Sequence, residues 1–144
     1  MKRYIGTKII HAEPSFSQSD NPDIGKPGYR VQYQDGYISW SPKDVFEESY
    51  RECNSMTFGL AVEALKMGKK VARAGWNGKG MFLYYVPSAE YPASRNALGT
   101  MIGFFPNDMV PYGAYIAMKT AQNNVVPWLA SQTDVLAEDW VIVD

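Results

Sequence analysis

Polar and apolar positions alternate with a period of two over Tyr29-Arg30-Val31-Gln32-Tyr33 and again over Tyr37-Ile38-Ser39-Trp40. A two-residue side-chain period is that of a half-buried strand. Asp35-Gly36 lies between the runs and is a strong hairpin signal. Upstream, residues 4–10 read as a further strand. Residues 13–28, with three prolines and two glycines among several serines, read as a loop rich in breakers. Downstream, Ser41-Pro42-Lys43-Asp44 has the form of a helix start, with serine as the cap, proline at the first helical position and an acid in the first turn. That helix is expected to run to about Arg51 or Glu52.

The period changes after Met56. Leu60, Ala61, Ala64 and Leu65 recur at helical spacing, which predicts a helix over Phe58–Lys66 with Thr57 as its cap and Gly68 as its stop. Lys70–Arg73 and residues 81–86 read as strands on either side of the loop Gly75-Trp76-Asn77-Gly78-Lys79-Gly80. Residues 87–113 are rich in Pro, Gly, Asn and Ser, yet hold Met101, Ile102, Phe104 and Phe105. They are expected to form a long loop packed through its own apolar side chains. Strands follow at residues 114–118 and 125–126, with a turn at Asn123-Asn124 between them. Ser131-Gln132-Thr133-Asp134 opens a short helix, and Trp140–Val143 closes the sheet. The predicted fold class is α+β, a small mainly antiparallel sheet with short helices. Residues 1–55 form an amino-terminal strand, hairpin and helix extension, and residues 56–144 the main domain.

Bulk properties narrow the function. A chain of 144 residues, 46% hydrophobic, can bury one real core or two small ones. Its formal net charge of −1 offers no global field for DNA, RNA or an anionic bilayer. No apolar run is long enough to span a membrane and no signal-like segment follows the start, so the expected location is cytoplasmic. The single cysteine, Cys53, excludes an internal disulfide.

The inventory for catalysis is thin. His11 is the only histidine, and it lies in the amino-terminal segment far from any nucleophile candidate. Several Cys or His ligands for zinc are missing, and Asp134, Glu138 and Asp139 read as a cap and a solvated helix end. The glycine loop lacks the spacing of a P-loop or dinucleotide fingerprint. The residues therefore point to a protein that is not an enzyme, with no cofactor and no metal. They suit binding better. Trp76 among glycines and Trp128 after Pro127 can each offer a face to a base. Arg73, Lys79 and Lys119 are phosphate-binding types, and Asn77, Thr133 and Asp134 can read hydroxyls or base edges. The alternative is that both tryptophans plug the ends of the core, the glycines serve turns and the lysines are solvated. Residue types leave the two open.

Met56-Thr57-Phe58-Gly59, Gly68-Lys69-Lys70-Val71-Ala72-Arg73 and Gly75-Trp76-Asn77-Gly78-Lys79, followed by Met118-Lys119-Thr120, Val126-Pro127-Trp128, Ser131-Gln132-Thr133-Asp134 and Ala137-Glu138-Asp139-Trp140, resemble the second Thoeris anti-defence family of bacteriophages. The resemblance covers about residues 56–144. It implies a homotetrameric sponge that binds cyclic ADP-ribose-type immune signals without cleaving them, some members also taking cyclic oligonucleotides of the CBASS system. It implies a pocket built by Trp76, Asn77, Trp128, Thr133 and Asp134, with Arg73, Lys79, Phe58 and Met81 nearby. The runner-up is a protein-binding phage inhibitor or accessory module, since ten tyrosines and four tryptophans also suit protein interfaces. An enzyme degrading cyclic nucleotides and a single-stranded nucleic-acid binder are the remaining rivals, and the near-zero net charge argues against the last.

Overall fold

Residues 1–18 and 24–144 are described by the computed structural model, in which the chain divides into two compact units, Met1–Glu52 and Cys53–Asp144. In the first, β1 (His11–Phe16), β2 (Pro27–Gln32) and β3 (Ile38–Pro42) form an antiparallel sheet in that order, and α1 (Lys43–Ser49) follows. The Asp35-Gly36 turn joins β2 to β3 as expected, held by Tyr33 N–H donating to Tyr37 O at 2.8 Å and Tyr37 N–H to Asp35 Oδ1 at 2.9 Å.

The first strand is displaced from its expected place. Residues 4–10 form no strand, and His11–Phe16, expected to begin a loop, pairs with β2 instead. His11 stands opposite Gln32, where β2 gives way to the turn, so residues upstream have no strand to pair with. Pro14 is tolerated because β1 is an edge strand. Part of the expected loop, residues 19–23, lies outside the described residues.

The helix start also differs. Ser41 is paired with Tyr29 inside the sheet and supplies no cap, and Pro42 takes the capping position without a side-chain hydrogen bond. α1 ends at Ser49, short of Arg51. The Arg51 guanidinium donates to Glu47 O at 2.6 Å and Tyr50 O at 3.2 Å, satisfying carbonyls a further turn would have used. Tyr29 and Phe46 stack at 4.1 Å, and Phe46 and Tyr50 at 4.9 Å, fastening the helix to β2.

The second unit begins with α2 (Phe58–Lys66), as its periodicity predicted. Thr57 Oγ1 accepts the Leu60 N–H at 3.3 Å, and Gly68, at φ +85°, stops the chain after it. Then come β4 (Lys70–Arg73), β5 (Phe82–Val86), β6 (Ala89–Pro92), β7 (Met109–Tyr112), β8 (Tyr115–Lys119), β9 (Val125–Pro127), α3 (Gln132–Leu136) and β10 (Trp140–Val143). Five strands make one antiparallel sheet in the order β10-β4-β5-β8-β9. Met56, Ala61, Ala64, Leu65, Val71, Leu83 and Trp140 form its buried core. The architecture is α+β and antiparallel.

Residues 87–113 depart from the loop expected there. They carry the antiparallel pair β6–β7, with Ala89 opposite Tyr112 and Pro92 opposite Met109. Each of these strands holds a proline, which is why the segment reads as breaker-rich. Its tip does not pack through its own apolar side chains throughout, for Leu98, Ile102 and Phe104 are all exposed.

Candidate ligand-binding site

The site grows from one register. β10 pairs with β4 so that Trp140 stands opposite Arg73, which brings the end of the chain against the strand that leads into the glycine loop. Trp140 is wholly buried, and its Nε1–H donates to Asp134 O at 2.9 Å. Three rings surround it: Phe58 with centroids at 5.5 Å, Trp76 at 5.7 Å with planes at 77°, and Trp128 at 5.9 Å with planes at 84°. The two tryptophan contacts are edge-to-face, an arrangement that suits the aromatic quadrupole, and Phe58 lies tilted. Trp76 and Trp128 are half-buried, so each meets the core through Trp140 and keeps part of its surface outside.

A polar network ties the same pieces together. Arg73 Nε donates to Asp139 Oδ1 at 2.9 Å and Arg73 Nη1 to Asp134 Oδ1 at 3.0 Å. Asp139 Oδ2 accepts the Gly75 N–H at 3.2 Å, at the head of the Trp76 loop. Asp134 Oδ2 accepts both the N–H of Ser131 at 3.0 Å and its hydroxyl at 2.8 Å, while Ser131 Oγ accepts the Asp134 N–H at 3.1 Å. This reciprocal capping box is what the Ser131–Asp134 spacing predicted. Donating to the Asp139 and Asp134 carboxylates raises the Arg73 pKa further. Burial pushes the Asp134 carboxyl up, but its hydrogen bonds from Ser131 and Arg73 outweigh that and leave it below the ordinary carboxylate value. The Arg73 hydrogen bond holds Asp139 below it too, against a smaller opposing effect of burial.

Of the residues singled out from the sequence, Trp76, Trp128 and Phe58 meet at Trp140, and Arg73 and Asp134 meet in an ion pair. Thr133 is exposed beside them, its Oγ1 2.8 Å from Ser131 Oγ. Asn77 and Lys79 stand exposed on the glycine loop. Met81 is half-buried close to Gly78, and Lys119 closes the loop by donating to Gly80 O at 3.1 Å. Asp139, read as a solvated helix end, is a partner of Arg73 instead, and Trp140, read only as the first residue of a strand, is the hub. Among the described residues, no group of three or more His, Cys, Asp or Glu side chains could hold a metal ion.

Fold and site define a small α+β domain whose tryptophan-lined surface is braced by a three-residue ion-pair network. Residues 56–143 match the model of the Tad2-like family, the Thoeris anti-defense 2-like domain, and the chain belongs to that family. A protein of Bacillus phage SP01 described as Thoeris anti-defense 2 is 50% identical over 88 residues, which are 61% of this chain and 94% of that relative.

Proposed function

We propose that the protein counters Thoeris defence as a sponge: it binds a cyclic ADP-ribose-type signal, with cyclic oligonucleotides of the CBASS system as a second ligand class, and withholds it from its effector without cleaving it. Family membership carries this reading, with 50% identity running through nearly the whole length of a relative described as Thoeris anti-defense 2. The site's chemistry supports it. Both carboxyls are held in the ionised form and are occupied by internal donors, so neither is poised as a general acid or base near neutral pH. The half-buried indoles of Trp76 and Trp128 offer surfaces to a base, each stacking contact contributing roughly 1–3 kcal/mol. Nanomolar affinity needs about 12 kcal/mol, so charged contacts from Lys79, with Asn77 and Thr133 on hydroxyls, complete the grip. The protein works as a homo-oligomer, a tetramer, in the cytoplasm of the infected host, and engages neither polymeric nucleic acid nor membrane.

The test is to mix the purified protein with a cyclic ADP-ribose isomer made by a TIR-domain enzyme, heat-denature the mixture and chromatograph the supernatant. The sponge reading expects signal that vanishes on mixing and returns intact on heating. Altered product would make the protein an enzyme. Signal that never leaves solution, cyclic di- and trinucleotides included, would leave the protein-binding reading, which the exposed Leu98, Ile102 and Phe104 at the β6–β7 tip favour.

A further inference from the structure

We infer that Arg73 is a positioning residue, a strut that fixes the Trp76 loop relative to the Trp128–Asp134 segment, and that Asp139 is the latch through which it acts on the loop. The inference rests on the reading of the two-tryptophan surface as the binding site. By residue type Arg73 is a phosphate ligand, and the structure gives its guanidinium other work. One face of the fork, Nε, holds Asp139, and Nη1 holds Asp134. Asp139 passes the constraint to Gly75 N–H, immediately before Trp76, and its own carbonyl accepts the Ala74 N–H at 2.9 Å. Asp134 passes it to Ser131 through two hydrogen bonds and to Trp140 through its carbonyl. Two loops more than fifty residues apart in sequence thus share one cation. The side chains are only partly exposed, 23% for Arg73, 14% for Asp134 and 36% for Asp139, so water competes weakly for these bonds. A planar guanidinium serves two carboxylates at fixed angles, which a lysine ammonium does not reproduce.

The strut and the direct-ligand roles predict opposite signs for Asp139→Asn. The substitution removes a negative charge from the neighbourhood of the site and loosens the hold on Arg73. If Arg73 met a ligand phosphate directly, anion binding would stay level or tighten. If Arg73 is a strut, the Trp76 loop loses its latch and affinity falls, by at least about tenfold for the loss of a charge-assisted bond. Full-length wild type, Asp139→Asn and Arg73→Lys are compared by titration with the cyclic ADP-ribose isomer, and without ligand by the indole N–H signals in a proton–nitrogen correlation spectrum. The expected result is weaker binding in both variants, with Trp76 and Trp128 signals shifted or broadened while that of Trp40, in the other unit, is unmoved. Unmoved Trp76 and Trp128 signals, or binding by Asp139→Asn at or above wild type, overturn the strut. An Arg73→Lys that binds like wild type overturns it equally. If wild type takes up no cyclic ADP-ribose isomer, the functional reading fails, and the ligand-free spectra still decide the strut. A variant that unfolds shows collapsed dispersion of all signals, and the other variant then gives the answer.

Discussion

Arg73 shows what a single position in a sequence hides. Its type and its place beside a glycine loop are readable, but its partners are sixty-one and sixty-six residues away and become visible only through the pairing of β4 with β10. Trp140 is hidden in the same way, because a tryptophan that opens a strand looks like any other core residue until its neighbours are known. Replacing it with Phe removes both buried volume and the hydrogen bond to Asp134 O, so a loss of about 2–4 kcal/mol in unfolding free energy is expected from urea titration. The two carboxyls give a pH signature. Their folded pKa values lie below the ordinary 3.8, so in acid the unfolded chain binds more protons than the folded one. Their stabilisation is complete above that ordinary value and is lost as pH falls through the folded values. The melting midpoint should therefore hold level between pH 7 and 5 as far as this pair is concerned, and drop below about pH 4. The drop should be shallower in Asp139→Asn.

At the scale of elements, legibility followed local chemistry. α2 came out at its predicted bounds because Thr57, the helical run and Gly68 all agree, and α3 because Ser131 and Asp134 form a reciprocal box. Where a signal was equally local but the tertiary pairing took the residue elsewhere, the reading failed: Ser41 is a strand residue, and the helix begins after an uncapped Pro42. β1 and the β6–β7 pair are not legible because each strand carries a proline, and what makes them strands is a partner outside their own local sequence. These differences can be measured. Thr57→Ala should cost about 0.5–2 kcal/mol, and Ser131→Ala a similar amount. Ser41→Ala should change stability by no more than about 0.5 kcal/mol. Chemical denaturation of the three variants separates caps in use from a cap in name. A large loss from Ser41→Ala would show that its hydroxyl does more than the structure assigns.

Across the whole molecule, the two units are unequal in what holds them. The unit Cys53–Asp144 contains all seven residues of the buried core cluster, both carboxylates of the ion-pair network and the entire stretch matched by the family. Among the described residues of Met1–Glu52, Val31 is the only buried hydrophobic side chain, while Phe16, Ile24, Tyr37 and Val45 stand exposed. With about fifty residues and no cysteine, that unit has neither the core nor a disulfide to stand firmly by itself. Aromatic stacking of Tyr29, Phe46 and Tyr50 fastens its helix to β2, and such pairs add only about 0.5–1.5 kcal/mol beyond their burial. A chain of residues 53–144 should therefore fold alone with the melting midpoint of the main transition of the full protein. It should also retain the cyclic ADP-ribose isomer with unchanged affinity, since every residue placed at the site lies within it. Residues 1–52 alone should melt broadly and at much lower temperature. Calorimetry of the three chains, with ligand titration of the two that contain the site, decides the matter. Loss of binding on removing the first unit would mean that this unit completes the site, and the search for ligand contacts would then move to its exposed aromatic side chains.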